Sequence, residues 1–155
     1  MSVMTKNINW KKINVDEDIK YLMNIFGHFH DSCIKEMHFI MGSFVEADLS
    51  MFIGEEGFKV RILFQRQCQD PSAIELLFEG ILKLNVTDNP GSNPIILGST
   101  LLFDNGVYYW ADAADWSSED NDKNCVNWIC AKTIQYRDVS QWIGPKLRYG
   151  PLDNN

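Results

Sequence analysis

The sequence predicts an α+β domain in which six to eight short strands form a mostly antiparallel β-sheet meander and one amino-terminal helix packs on it. One stretch near the amino terminus has helical periodicity, and the segments after it alternate apolar and polar residues between tight turns. The chain lacks the strand–helix rhythm that a doubly wound parallel sheet requires. Its 155 residues fit one domain. We expect that domain to span residues 1–150 and residues 151–155 to be a disordered tail.

The helix is predicted over residues 15–26. Its apolar residues recur at the spacing i, i+3, i+4 and i+7 and form one stripe: Ile19, Leu22, Met23 and Phe26. Asn14 and Glu17 have the spacing of a capping box at the start. Gly27 stands where a C′ glycine ends a helix.

Strands are predicted after the helix wherever apolar and polar residues alternate. The first covers residues 33–41. Residues 49–53 and 58–65 are predicted to pair as a hairpin across the glycine-flanked turn between them. The next strand begins at residue 74 and continues to residue 86, with a bulge near Gly80 because the alternation is interrupted there.

The second half of the chain contains a further hairpin and a last long strand. Asp104-Asn105-Gly106 is a turn sequence typical of hairpins, and it joins residues 95–103 to residues 107–111. The last strand is predicted over residues 126–137. Four of its side chains are expected on one side: Trp128, Cys130, Ile134 and Tyr136.

The charge balance bears on partners and compartment. Fourteen basic and 21 acidic residues give a formal net charge of −7, which disfavours binding to nucleic acid and to anionic membranes. No apolar run approaches the roughly 18 residues of a membrane-spanning helix, and we find no secretion signal. We therefore expect a cytoplasmic protein with free thiols at its four cysteines: Cys33, Cys68, Cys125 and Cys130.

The most acidic segment, residues 112–122, adjoins a group of aromatic residues. It carries five carboxylates and no Lys or Arg. Aromatic residues supply much of the binding energy of protein interfaces, and carboxylates select a basic partner. The sequence therefore predicts a surface for a basic protein partner, formed by Trp110, Asp112, Asp115, Trp116, Asp120 and Asp122.

Other interpretations of this segment stay open. Asp120, Asp122 and Asn124 have the spacing of the first ligands of a calcium loop, but Cys125 stands where such a loop needs Gly and Ala131 where it needs Glu. The same aromatic and acidic groups could bind a sugar. They could also be core aromatics beside a solvated loop.

A metal-binding alternative centres on the junction between the helix and the first strand. His28 and His30 would point to one face of an extended chain, and Asp31 could orient a ligand. His38 is the remaining histidine and lies eight residues beyond His30. Alternatively, the polar residues of the junction cap backbone groups locally.

The run Phe29-His30-Asp31-Ser32, followed by Ile34-Lys35-Glu36, resembles the start of a strand in a family of small uncharacterised bacterial proteins. Some of them are similar to immunity proteins of polymorphic toxin systems. The resemblance implies a small antiparallel-sheet protein with no established catalytic role.

Motifs for phosphate, dinucleotide and hydrolase chemistry are missing from the sequence, so we predict no cofactor and no catalytic residues. A non-enzymatic, immunity-like protein-binding domain is the leading prediction. The alternatives are a metal-binding protein or metal-dependent enzyme centred on His28 and His30, and a sugar-binding or structural module.

Overall fold

One helix and a seven-stranded antiparallel sheet form the body of the protein, and a separate two-stranded ribbon extends from the sheet. The computed structural model describes residues 9–55, 57–88, 94–119, 125–150 and 152. The predicted α+β class with a mostly antiparallel sheet is confirmed. In chain order the elements are β1 (Lys11–Lys12), α1 (Asp16–Ile25), a 3₁₀ turn (Gly27–Phe29), β2 (Ser32–Ile40), β3 (Phe44–Val45), β4 (Met51–Phe52), β5 (Lys59–Arg66), β6 (Ala73–Asn85), β7 (Thr100–Asp104), β8 (Val107–Ala111) and β9 (Trp128–Asp138).

The order of the strands departs from a simple meander at one place. The sheet runs β2-β5-β6-β9-β8-β7, and the short β1 pairs with β9. The last strand therefore lies between β6 and the β7–β8 hairpin. Asn105 and Gly106 both have positive φ in the tight turn of that hairpin, as the sequence predicts.

Helix α1 covers one face of the sheet, and its limits agree with the predicted range to one residue at each end. The predicted capping pair, Asn14 and Glu17, is wrong. The carboxylate of Asp18 instead accepts hydrogen bonds from the backbone N–H groups of Asn14 (2.8 Å) and Val15 (3.1 Å). Gly27 is the C′ glycine with positive φ, as predicted.

The main core lies between α1 and the sheet, and its centre is aromatic. Phe29 contacts Phe26, Phe64 and Trp110 edge-on, with ring centroids 4.9–5.7 Å apart. Each such contact contributes about 0.5–1.5 kcal/mol beyond the buried area. This centre joins the helix to β5 and β8.

The side chains of β9 do not share one side, so that prediction is wrong. Trp128 and Cys130 pack in a second cluster with Ala111 and Trp116, whereas Ile134 and Tyr136 belong to the main core. The core-facing positions change from odd to even along the strand. This change occurs beside the irregularity of β6, where the register shifts between Ile81 and Lys83, close to Gly80 as predicted.

The other face of the sheet is partly covered by the segment that follows β9, residues 139–150. Val139 is buried with Leu63 and Ala73, which point away from α1. The side chain of Gln65 donates hydrogen bonds to the carbonyls of Trp142 (2.9 Å) and Gly144 (3.0 Å). Both faces of the β5–β6 region are therefore occupied.

The predicted hairpin between residues 49–53 and 58–65 is wrong. Residues 51–52 pair with residues 44–45 as the ribbon β3–β4, and β5 pairs with β2 and β6. Of the predicted tail, residues 151 and 153–155 lie outside the described residues. Among the residues that the structure describes, no helix has the length and apolar character needed to cross a membrane.

Candidate functional site

The two tryptophans of the predicted binding surface are buried, so their expected exposure is wrong. Trp110 is 1% exposed and contacts Phe64 in the main core. Trp116 is 5% exposed and packs on Trp128 in the second cluster, with ring centroids 5.4 Å apart. The two indoles therefore belong to different clusters and do not form one surface.

Asp112 links the end of β8 to the start of β9 by hydrogen bonds. Its carboxylate accepts hydrogen bonds from the backbone N–H (3.0 Å) and the side-chain amide (2.8 Å) of Asn127. Burial raises the pKa of Asp112 above its ordinary value. Asp115 is exposed, and Asp120 and Asp122 lie outside the described residues. Partner binding through these carboxylates stays a prediction.

The junction that carries His28, His30 and Asp31 is a left-handed turn, not an extended chain. Gly27, His28 and Phe29 have φ of 56°, 54° and 62°, and Asp31 has φ of 59°. The expected extended chain, which would place both imidazoles on one face, is therefore not formed at this junction. Non-glycine residues in this region cost about 1–3 kcal/mol each, and the burial of Phe29 in the core offsets that cost.

Arg66 lies beneath this turn, and its guanidinium approaches Gly27 closely. The guanidinium donates to the carbonyls of Ile25 (3.2 Å) and Pro71 (3.0 Å) and lies over the Phe26 ring. A Cβ at Gly27 would approach Nη1 of Arg66 to 2.9 Å. Arg66 thus places positive charge at the C-terminal end of α1, where the helix dipole favours it.

Both histidines line an open cleft of about 870 Å³ between α1 and residues 97–101, and Asp115 lies at its wall. His30 Nδ1 lies 3.2 Å from a carboxylate oxygen of Asp31, and both side chains are largely exposed. In the described part of the chain, no three His, Cys, Asp or Glu side chains are placed to hold a metal ion. The metal-binding alternative therefore gains no third ligand.

A buried ion cluster surrounds Glu75 in the middle of the sheet. Its side chain has no exposed surface and pairs with Arg61 (2.8 Å) and Arg137 (2.5 Å). The hydroxyl of Tyr149 donates to the same carboxylate at 2.6 Å. Both carboxylate oxygens of Glu75 thus have partners within this chain. We therefore interpret the cluster as a structural element and not as a binding site.

The same cluster attaches residues 139–150 to the sheet. The guanidinium of Arg61 lies 4.6 Å from the centre of the Tyr149 ring, and that of Arg137 lies 5.3 Å from the Trp142 ring. Glu36 accepts hydrogen bonds from the backbone N–H groups of Arg148 and Tyr149 at 2.9–3.2 Å. Two carboxylates of the sheet therefore hold this segment in place.

The most unusual surface was not predicted from the sequence. We call residues 39–58, which connect β2 to β5 and include the ribbon, the arm. Every residue from position 39 to position 53 is exposed. Ten of the nineteen exposed large hydrophobic side chains in the described residues belong to the arm: Phe39, Ile40, Met41, Phe44, Val45, Leu49, Met51, Phe52, Ile53 and Phe58.

Local contacts give the arm a defined shape. The rings of Phe44 and Phe52 stack across the ribbon, with centroids 4.8 Å apart. Asp48 accepts hydrogen bonds from the backbone and the hydroxyl of Ser50 in the turn, and these bonds lower the pKa of Asp48. At the base, a Cβ at Gly54 would lie 2.6 Å from the carbonyl oxygen of Gly42, so the two chains pass closely there.

The arm is acidic as well as apolar. Between Lys35 and Lys59 the sequence contains no Lys or Arg, whereas the arm has four carboxylates: Glu46, Asp48, Glu55 and Glu56. The arm therefore combines exposed apolar side chains with acidic residues.

Comparisons of the chain with protein-family models, with curated proteins and with solved structures find no match.

We predict that Glu75→Gln lowers the free energy of unfolding by about 3–5 kcal/mol, because the half-buried guanidinium groups of Arg61 and Arg137 lose the buried charge that they share. Urea titration measures the change. Glu79→Gln is the matched control: Glu79 is half-buried on the same strand and accepts a hydrogen bond from Gln135. It should cost less than about 1 kcal/mol. Equal losses in the two variants would contradict a special role for Glu75.

Alkaline pH should weaken the attachment of residues 139–150. Burial and the hydrogen bond to Glu75 raise the pKa of Tyr149, so the folded protein holds this proton more tightly than the unfolded chain does. Stability is therefore lost as the pH rises above about 10, the ordinary pKa of tyrosine. Urea midpoints measured from about pH 8 to 11 should fall less steeply for Tyr149→Phe than for the parent. Equal slopes would contradict this assignment.

Proposed function

We propose that this chain is a non-enzymatic protein-binding domain, immunity-like as the resemblance implies, and that the arm is its contact surface. The observation that carries the proposal is the set of ten exposed hydrophobic side chains on one ordered segment. Large contiguous apolar patches are rare on monomeric proteins and mark interaction sites. The buried Trp110 and Trp116 are not needed for this function.

The energetics of the arm favour a partner. A two-stranded ribbon is marginally stable by itself, and all four strand residues of this ribbon are exposed. Burying apolar surface stabilises a complex by about 25 cal/mol per Å² before the costs of association. A partner that covers Phe44, Met51 and Phe52 would gain this energy and stabilise the ribbon at the same time.

Charge indicates the kind of partner. Glu46, Asp48 and Glu55, the exposed carboxylates among the described residues of the arm, would attract a protein whose apolar surface is rimmed by Lys or Arg. They would repel nucleic acid and anionic lipid. A basic protein partner, proposed for residues 110–122 from the sequence, is therefore better assigned to the arm.

The cysteines support the cytoplasmic location that forms part of the proposal. Cys33, Cys68, Cys125 and Cys130 are all free thiols. Cysteines that do not form disulfides are usual in reducing compartments.

A photo-crosslinking amino acid introduced at Ile53 in cells of the source organism tests the proposal. We expect one discrete protein adduct from Ile53 and none from Leu97, which is equally open to solvent but lies outside the arm. The captured protein is then purified, and its affinity for the parent and the variants is measured by calorimetry.

The double variant Met51→Lys/Ile53→Lys should bind the purified partner at least tenfold more weakly, because it removes two apolar contacts and adds charge of the partner's own sign. Leu97→Lys should bind like the parent. All three variant positions are exposed, so the melting temperature should stay close to that of the parent. Unchanged affinity in the double variant would overturn the proposal.

A further inference from the structure

Strand β2 is one of the two edges of the main sheet, and the arm continues directly from it. It pairs on one side with β5, from Ser32 to Ile40. On its other side, Ile96 covers the beginning of the strand through a hydrogen bond from its N–H to the carbonyl of Ser32 (2.7 Å). The opposite edge of the sheet, β7, lies against α1.

The two halves of the β2 edge differ in how well they are protected. A bulge lies between Ile34 and Glu36, and Lys35 lies within it. Bulges and lysines are devices that prevent a foreign strand from pairing. From Met37 to Ile40 the ladder with β5 is regular, and no described residue bonds to the outward backbone groups of this stretch.

The open half of the edge is flanked by apolar side chains. Phe39 contacts Phe58 at the base of the arm, with ring centroids 5.5 Å apart. Ile40 is the next residue and therefore points to the opposite face of the sheet. Both side chains are exposed, so an added strand would meet apolar groups on both faces.

We propose that the partner adds an extended strand along the outward edge of β2 and the residue that follows it, over residues 37–41, so that its side chains also contact the arm. This inference rests on the proposed function and specifies its mode. Strand addition supplies main-chain hydrogen bonds, and alternate side chains of the added strand supply the specificity.

The charge of this region selects the sequence of the added strand. Residues 36–58 contain no Lys or Arg, so a strand that alternates apolar and basic residues fits best. A second copy of this chain fits poorly, because pairing two β2 edges would bring two acidic arms together.

A synthetic peptide that alternates valine and lysine is the probe, and a peptide that alternates valine and glutamate is its control. Hydrogen exchange of the full chain is measured with each peptide at low and high salt. We expect the lysine peptide to slow exchange of alternate amides in residues 37–41, and salt to weaken the effect. The glutamate peptide should change nothing.

Two matched variants test the position. Ile40→Lys should weaken binding of the lysine peptide about tenfold or more, because it places a gatekeeping charge on the edge. Leu97→Lys, which makes the same chemical change at an exposed site elsewhere, should have no effect.

Each other outcome overturns the inference. Protection confined to residues 44–52 would show that the arm binds without strand addition, and it would leave the proposed function standing. Equal protection by the two peptides would overturn the basic preference, and no protection by either would overturn strand addition. A dimer of the free chain with residues 37–41 protected would make a second copy the occupant.

Discussion

The carboxylate of Glu75 lies at the centre of the sheet with no exposed surface, held by Arg61, Arg137 and Tyr149. A buried charge is tolerated only when its partners are close and complete. Here those partners also bring residues 139–150 onto the face of the sheet that α1 leaves free. Both faces of the β5–β6 region are then covered. The apolar side chains of the arm therefore cannot pack on this part of the sheet.

The helix–strand junction and the arm each contain an energetically unfavourable feature: strained backbone at the junction and exposed apolar side chains in the arm. At the junction, the chain accepts left-handed backbone at His28 and Phe29, and the burial of Phe29 beside Trp110 offsets the strain. In the arm, the stacked Phe44 and Phe52 give shape to a ribbon that the body does not bury. The function proposed for the protein follows from this second case, because an ordered apolar surface that the fold cannot cover is available to a partner.

Periodicity predicted helix α1 and strand β2. The Asp104-Asn105-Gly106 turn predicted the β7–β8 hairpin, although β7 begins at Thr100 and not at the predicted residue 95. Periodicity failed where tertiary geometry decides the outcome. In β9, the core-facing positions change from odd to even beside the irregularity near Gly80. Nothing in the sequence around Tyr108–Trp110 predicts that Trp116 packs in a second cluster. The exposure of the arm was not predicted, because the sequence of its apolar residues resembles that of buried strands. The absence of Lys and Arg from residue 36 to residue 58, together with Gly42 and Gly54, was the available signal.

Oxidation of methionine by dilute hydrogen peroxide, followed residue by residue with mass spectrometry, tests most directly whether the arm is in solvent. Met41 and Met51 are 51% and 66% exposed, whereas Met23 in α1 is 7% exposed. Sulfoxide formation follows exposure when the chemistry is the same. In the folded, isolated chain, Met41 and Met51 should be oxidised well before Met23. If the two methionines of the arm react as slowly as Met23, the arm is covered in the free protein and the account is contradicted.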